Sequence, residues 1–108
     1  ICYGENEFTV QAEGWQDYTV KYDAIDSIAC EENMFRDTNT IRTNGFGNLQ
    51  YSMGHFRDDI HGDYIRYTHN DCDTYVVMEV NGSTVILNSA DDEQTREIYN
   101  NIRERMEK

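Results

Sequence analysis

The sequence predicts a mainly β (α+β) fold, an antiparallel sheet or partly open barrel capped by one C-terminal helix. Three observations predict it. Apolar and polar residues alternate along several short runs, an Asn-Gly pair joins two of those runs, and after Ser89 the apolar residues recur every three or four positions instead of every two. A chain of 108 residues with 38% hydrophobic content supplies one core, so residues 1–108 are read as a single domain.

The elements follow in order. Phe8 to Ala12 and Tyr18 to Tyr22 alternate as half-buried strands, and Glu13 to Asp17 between them reads as a hairpin turn. From Tyr22 to Ile28 the spacing of Ile25 and Ile28 predicts a short helical turn, with Asp23 placed to cap it, before Ala29-Cys30 resumes an extended run. Gly54 to Phe56 is extended, Arg57 to Asp59 turns, and Tyr64 to His69 is a strand with Ile65, Tyr67 and His69 on one face and Tyr64, Arg66 and Thr68 on the other. Thr74 to Val80 and Ser83 to Asn88 form a hairpin about Asn81-Gly82, because a type I′ turn demands two positive φ values. That register sets Val80 opposite Ser83, Met78 opposite Val85 and Val76 opposite Leu87 on an apolar face. The second face carries Val77 opposite Ile86, Glu79 opposite Thr84 and Tyr75 opposite Asn88, which suits partial exposure or cover by another element. Ser89 with Asp92 forms a capping-box-like start to the last helix, and Thr95, Ile98, Tyr99, Ile102 and Met106 make one apolar stripe that must lie on the sheet.

Charge narrows the partners. Twenty-one acidic against nine basic residues give a net charge of −12, and Lys21 is the only base before Arg36. Phosphate binding needs clustered Lys and Arg, so neither nucleic acid nor an anionic lipid surface is expected; an acidic surface aids solubility or docks to a basic partner. Cys2, Cys30 and Cys72 show no C-x-x-C spacing, and both three reduced thiols and one bridge with a leftover thiol fit them. No run of about 18 apolar residues is present. The start at Ile1 rather than Met is read as a piece cut from a longer protein or as a chain that has lost a leader.

The stretch from Gly45 to Asp71 holds all three histidines and several aspartates. His55, Asp58, Asp59, His61, Asp63 and His69 carry the donor atoms of a transition-metal site, but no H-E-x-x-H pair occurs and Gly54 and Gly62 mark bends, so solvated turn histidines are the reading and no metal ligand is assigned. Ser27, Ser52 and Ser89 have ordinary roles in a turn, a strand and a cap, none in a G-x-S-x-G elbow, and Asn44-Gly45-Phe46-Gly47 reads as a turn rather than a phosphate cradle. No catalytic residue and no cofactor are assigned. Trp15, at the first hairpin tip, and Phe46, among loop glycines, are the candidate partner-binding residues. Two rival readings are a small metal-dependent hydrolase using His55, His61 and His69, and a small apolar-ligand-binding barrel, which requires that Val20, Val76, Met78, Val85 and Leu87 leave a cavity.

The order of "YTVKYDAIDSI", "IRTNGFGNLQYSMGHF", "HGDYIRYTH" and "YVVMEVNGSTVILNSADDEQTREIYNNI" resembles the bacterial pleckstrin-homology-like domains. The matching positions are Tyr22, Asp23, Ile25, Ser27 and Ile28, then Arg42, Gly45 and Gly47, then Gly54 and Phe56, then Gly62 and Tyr64, then the last hairpin and helix, covering the chain from about Phe8 onward. The resemblance implies a strongly bent antiparallel sheet or barrel of about seven strands, plugged by the terminal helix, and attached to a membrane protein through segments upstream, on the cytoplasmic side. Between Ala12 and Tyr18, where eukaryotic pleckstrin-homology domains carry phosphoinositide-binding basic residues, this chain has Glu13 and Asp17 and no Lys or Arg, so direct phosphoinositide binding is not expected. The expected function is a non-catalytic protein-interaction or regulatory module, with a protein partner or self-association through exposed sheet edges or the second face of the last hairpin.

Overall fold

The computed structural model describes residues 1–11, 16–35, 41–47 and 51–107, with the backbone alone for 41–47. Its strands are β1 (Cys2–Tyr3), β2 (Glu7–Val10), β3 (Tyr18–Lys21), β4 (Ile25–Glu32), β5 (Ile41–Gly47), β6 (Tyr51–Asp58), β7 (Gly62–His69), β8 (Thr74–Val80) and β9 (Ser83–Leu87), and its helix is α1 (Asp92–Met106). They form two sheets: a three-stranded β1-β2-β3 and a six-stranded β4-β8-β9-β7-β6-β5. The mainly β class and the closing helix are as expected. The barrel is not.

Local pattern explains the small sheet. On β2, Phe8 and Val10 are buried and Glu7 is exposed; Phe8 faces Val20 across the β2–β3 ladder. The opposite face is polar, with Thr9 and Thr19 hydroxyls 2.9 Å apart. The 3₁₀ turn covers only Tyr22–Ala24, and Asp23 makes no cap. The helical turn expected to Ile28 is overridden because Ile25 already pairs with Val80, and β4 continues along β8 to Glu32, with a bulge between Ile25 and Ser27.

The last hairpin has the expected register from Val76–Leu87 to Val80–Ser83, and Asn81 and Gly82 take φ of 51° and 86°. Its place in the sheet departs from the antiparallel expectation. Since β4 occupies one edge of β8, β9 carries the free edge of the hairpin, and β7 joins it in parallel, Tyr67 beside Leu87 and Ile65 beside Val85. The sheet is therefore mixed and open, with β4 and β5 as its outer strands.

One face of this sheet forms the main core. Met53, Tyr67, Val76, Met78, Val80, Val85 and Leu87 pack with Phe8, Val10 and Val20 of the small sheet, with Tyr22 of the 3₁₀ turn and with Ile98 and Ile102 of α1. Val20, Val76, Met78, Val85 and Leu87, the five side chains a ligand-binding barrel would line its cavity with, lie in one buried cluster at 0–2% exposure. The predicted helical stripe is seen, with Thr95, Ile98 and Ile102 buried. Its cap is Asp91, not Ser89: the Gln94 N–H donates to the Asp91 carboxylate at 2.8 Å, while the Ser89 hydroxyl binds the Gln94 side chain. Among the described residues no helix is long and apolar enough to cross a membrane.

Candidate functional site

Strand alternation disperses the histidine-rich stretch. His55 on β6 is exposed opposite Ile65, and His69 at the end of β7 lies on the same face as Ile65, its ring 5.0 Å from that of Tyr51. His61 sits in the β6–β7 turn and contacts the other face, edge-on to Phe35 and Tyr64. Asp63 is exposed and pairs with Arg57 at 2.6 Å. Among the described residues no three His, Cys, Asp or Glu side chains converge. The positive φ of Gly54 (108°) and Gly62 (72°) marks these glycines as backbone devices.

Asp58 organises the turn. Its buried carboxylate accepts the backbone N–H groups of Ile60 and His61 and lies 2.9 Å from His61 Nδ1. Burial alone would raise its pKa, but the hydrogen bonds from His61 and Ile60 outweigh it and hold the carboxyl below the usual aspartate range. A carboxylate depressed in the folded state stabilises the fold above its unfolded pKa and loses that contribution as pH falls through the folded value. Asp58→Ala is therefore expected to lose about 1–3 kcal/mol at neutral pH, with the gap to the parent chain closing in acid; urea unfolding across pH measures it.

The second face of the large sheet has a core of its own. After β4, Asn33 adopts φ 58° and its N–H donates to the Asp73 carbonyl at 2.8 Å, which turns Met34 and Phe35 over Phe56, Tyr64, Tyr75 and Ile86. The second face of the last hairpin is thus covered by this chain, and Ile86 is fully buried. Arg66 lies among these rings, 8% exposed, its guanidinium 4.0 Å from the Phe35 ring centre and its Nε–H donated to Thr68 Oγ1 at 2.6 Å. No carboxylate among the described residues pairs with it. Sequence reasoning placed Tyr64, Arg66 and Thr68 on one face but missed that Arg66 is buried, since the cover comes from Phe35, distant in sequence.

The remaining candidates separate. Trp15 lies outside the described residues. Phe46 is not in a loop: Asn44 to Gly47 belongs to β5, with Phe46 opposite Met53. Ser27 is exposed on β4, Ser52 donates to Asn70 Oδ1, and Ser89 contacts Gln94. All three cysteines are free thiols, Cys72 buried and Cys2 and Cys30 exposed. Burial of the sulfur raises the Cys30 pKa, with Arg96 pulling the other way, which leaves less thiolate.

Among the terminal strands of the two sheets, β4 is the longest with described side chains, and its outer edge is open. From Asp26 to Glu32 every side chain is exposed except the half-buried Ile28. One edge of the backbone pairs with β8, and among the described residues nothing hydrogen-bonds to the backbone of the other edge. Glu32 forms an ion pair with Arg96 of α1, which places Ile28, Cys30 and Glu32 on the helix side and Ser27, Ala29 and Glu31 on the other. Chemically, this edge offers a row of unused backbone donors and acceptors flanked by carboxylates.

Comparison of the chain with protein-family models, with curated proteins and with solved structures finds no match in any of the three. The fold defines the class of the protein, a mainly β domain of two sheets with a packed C-terminal helix.

Proposed function

We propose that this chain is a non-catalytic protein-interaction module, the soluble domain of a bacterial membrane-associated protein, and that its partner joins the large sheet at β4. The observation that carries the reading is an eight-residue strand whose outer edge is unpaired among the described residues and whose side chains are almost all exposed. Strand addition uses such an edge: main-chain hydrogen bonds supply affinity and the flanking side chains supply selectivity. The dispersed histidines and the structural role of Asp58 support the non-catalytic part. The pleckstrin-homology-like resemblance and the membrane tether belong to the same proposal; the packed terminal helix supports the former, and the parallel β7–β9 pair departs from it.

A photo-crosslinking residue at Ala29 in the full chain is expected to capture a partner in cells of the parent organism, whereas the same residue at the exposed Asn100 of α1 captures none. Equal capture from both positions, or none from Ala29, overturns the reading.

A further inference from the structure

The chemistry of the β4 edge also selects what binds there. Resting on the reading above, we infer that β4 receives an extended basic segment of another protein, laid antiparallel or parallel along Ser27 to Glu32, with Lys or Arg beside Glu31.

The argument starts from charge. β4 exposes Asp26, Glu31 and Glu32; Arg96 satisfies Glu32, while Asp26 and Glu31 form no ion pair among the described residues. The chain as a whole carries −12. An incoming strand places its side chains beside those of β4 at cross-strand distance, where opposite charges attract and like charges repel. A segment with Lys or Arg on the side of Ser27, Ala29 and Glu31 therefore gains at every approach to this edge.

A second copy of this chain is the poorer occupant. Each copy carries −12, so two copies repel as they approach, and β4 itself brings no Lys or Arg to the other's Glu31. The bulge between Ile25 and Ser27 adds a geometric limit, since it interrupts regular pairing at Asp26 and leaves the straight run from Ser27 to Glu32. On the helix side, the half-buried Ile28 gives an apolar neighbour for a β-branched residue of the partner. The segment selected is amphipathic and extended, basic on one face and apolar on the other.

The test uses the full chain, isotope-labelled for NMR and amide exchange, and three hexapeptides: Lys-Val, Ser-Val and Glu-Val repeats. The Lys-Val peptide is expected to protect amides within Ser27 to Glu32, to bind about tenfold more weakly to Glu31→Lys, to an intermediate degree to Glu31→Gln, and to weaken with added salt; the Glu-Val peptide leaves β4 unprotected. Equal protection by the Ser-Val peptide overturns the charge selection and leaves strand addition standing. Lys-Val shifts scattered over the acidic surface without β4 protection overturn the inference. Failure of every peptide to protect β4 overturns both it and the interaction reading. Dimers of the unmodified chain joined through β4 would make the second copy the occupant and overturn it as well.

Discussion

Replacing Phe8 with alanine is expected to cost about 3–5 kcal/mol, the range for a fully buried aromatic truncated to a methyl group. Phe8 is 0% exposed, faces Val20 across β2–β3, and has its ring 5.9 Å from that of Tyr22 and 6.5 Å from that of Tyr3. With Val10 and Val20 it carries the small sheet into the main core. A domain of this size holds about 5–15 kcal/mol in total, so the variant should unfold at much lower urea than the parent, and Phe8→Leu should recover most of the loss. A midpoint change equivalent to less than about 1 kcal/mol would mean that the small sheet is not packed on the large one as described.

Asn88→Ala is expected to cost about 2–4 kcal/mol for a different reason. Its side chain replaces a stretch of backbone ladder just beyond β9: Oδ1 accepts from His69 N at 2.6 Å, and Nδ2 donates to the carbonyls of His69 and Cys72, each at 3.2 Å. Asn88 is only 7% exposed, so alanine leaves these groups short of partners away from bulk water. Asn88→Asp sharpens the test. It keeps the acceptor for His69 N but sets a carboxylate against two carbonyl oxygens, and should be at least as unstable as the alanine variant. Denaturant unfolding with amide exchange at His69 reads both; a stable Asp variant would show that the two donated bonds contribute nothing.

The parts of this fold that were legible in the sequence are those decided by neighbours along the chain. Asn81-Gly82 dictates its own turn, and alternation on both sides then sets the β8–β9 register. The stripe of Thr95, Ile98 and Ile102 and the two faces of β7 follow from periodicity in the same way. The misses depend on contacts between distant residues. The parallel pairing of β7 with β9 arises because β4 takes the other edge of β8, and β4 lacks alternation, so only its extended run at Ala29-Cys30 was read from the sequence and not its start at Ile25. Ser89 and Asp91 are both competent caps two positions apart, and the geometry chose the one whose carboxylate reaches Gln94 N. The open β4 edge was foreseen only as an unspecified exposed edge. Arg66 was hidden because its burial depends on Phe35 folding back from the far side of the sheet.

The strand order has a consequence for how the chain reaches its native state. Ile25 must wait for Val80, and Tyr67 must wait for Leu87, before either has its place in the large sheet. The β8–β9 ribbon, made after β4 to β7, is the one wedged between them. Assembly is thus dominated by closures between remote parts of the chain, which pay their entropy before any reward arrives and make for slow folding. On the ribosome, β4 through β7 emerge without the pair of strands that joins them, so the large sheet cannot assemble before that hairpin has been made.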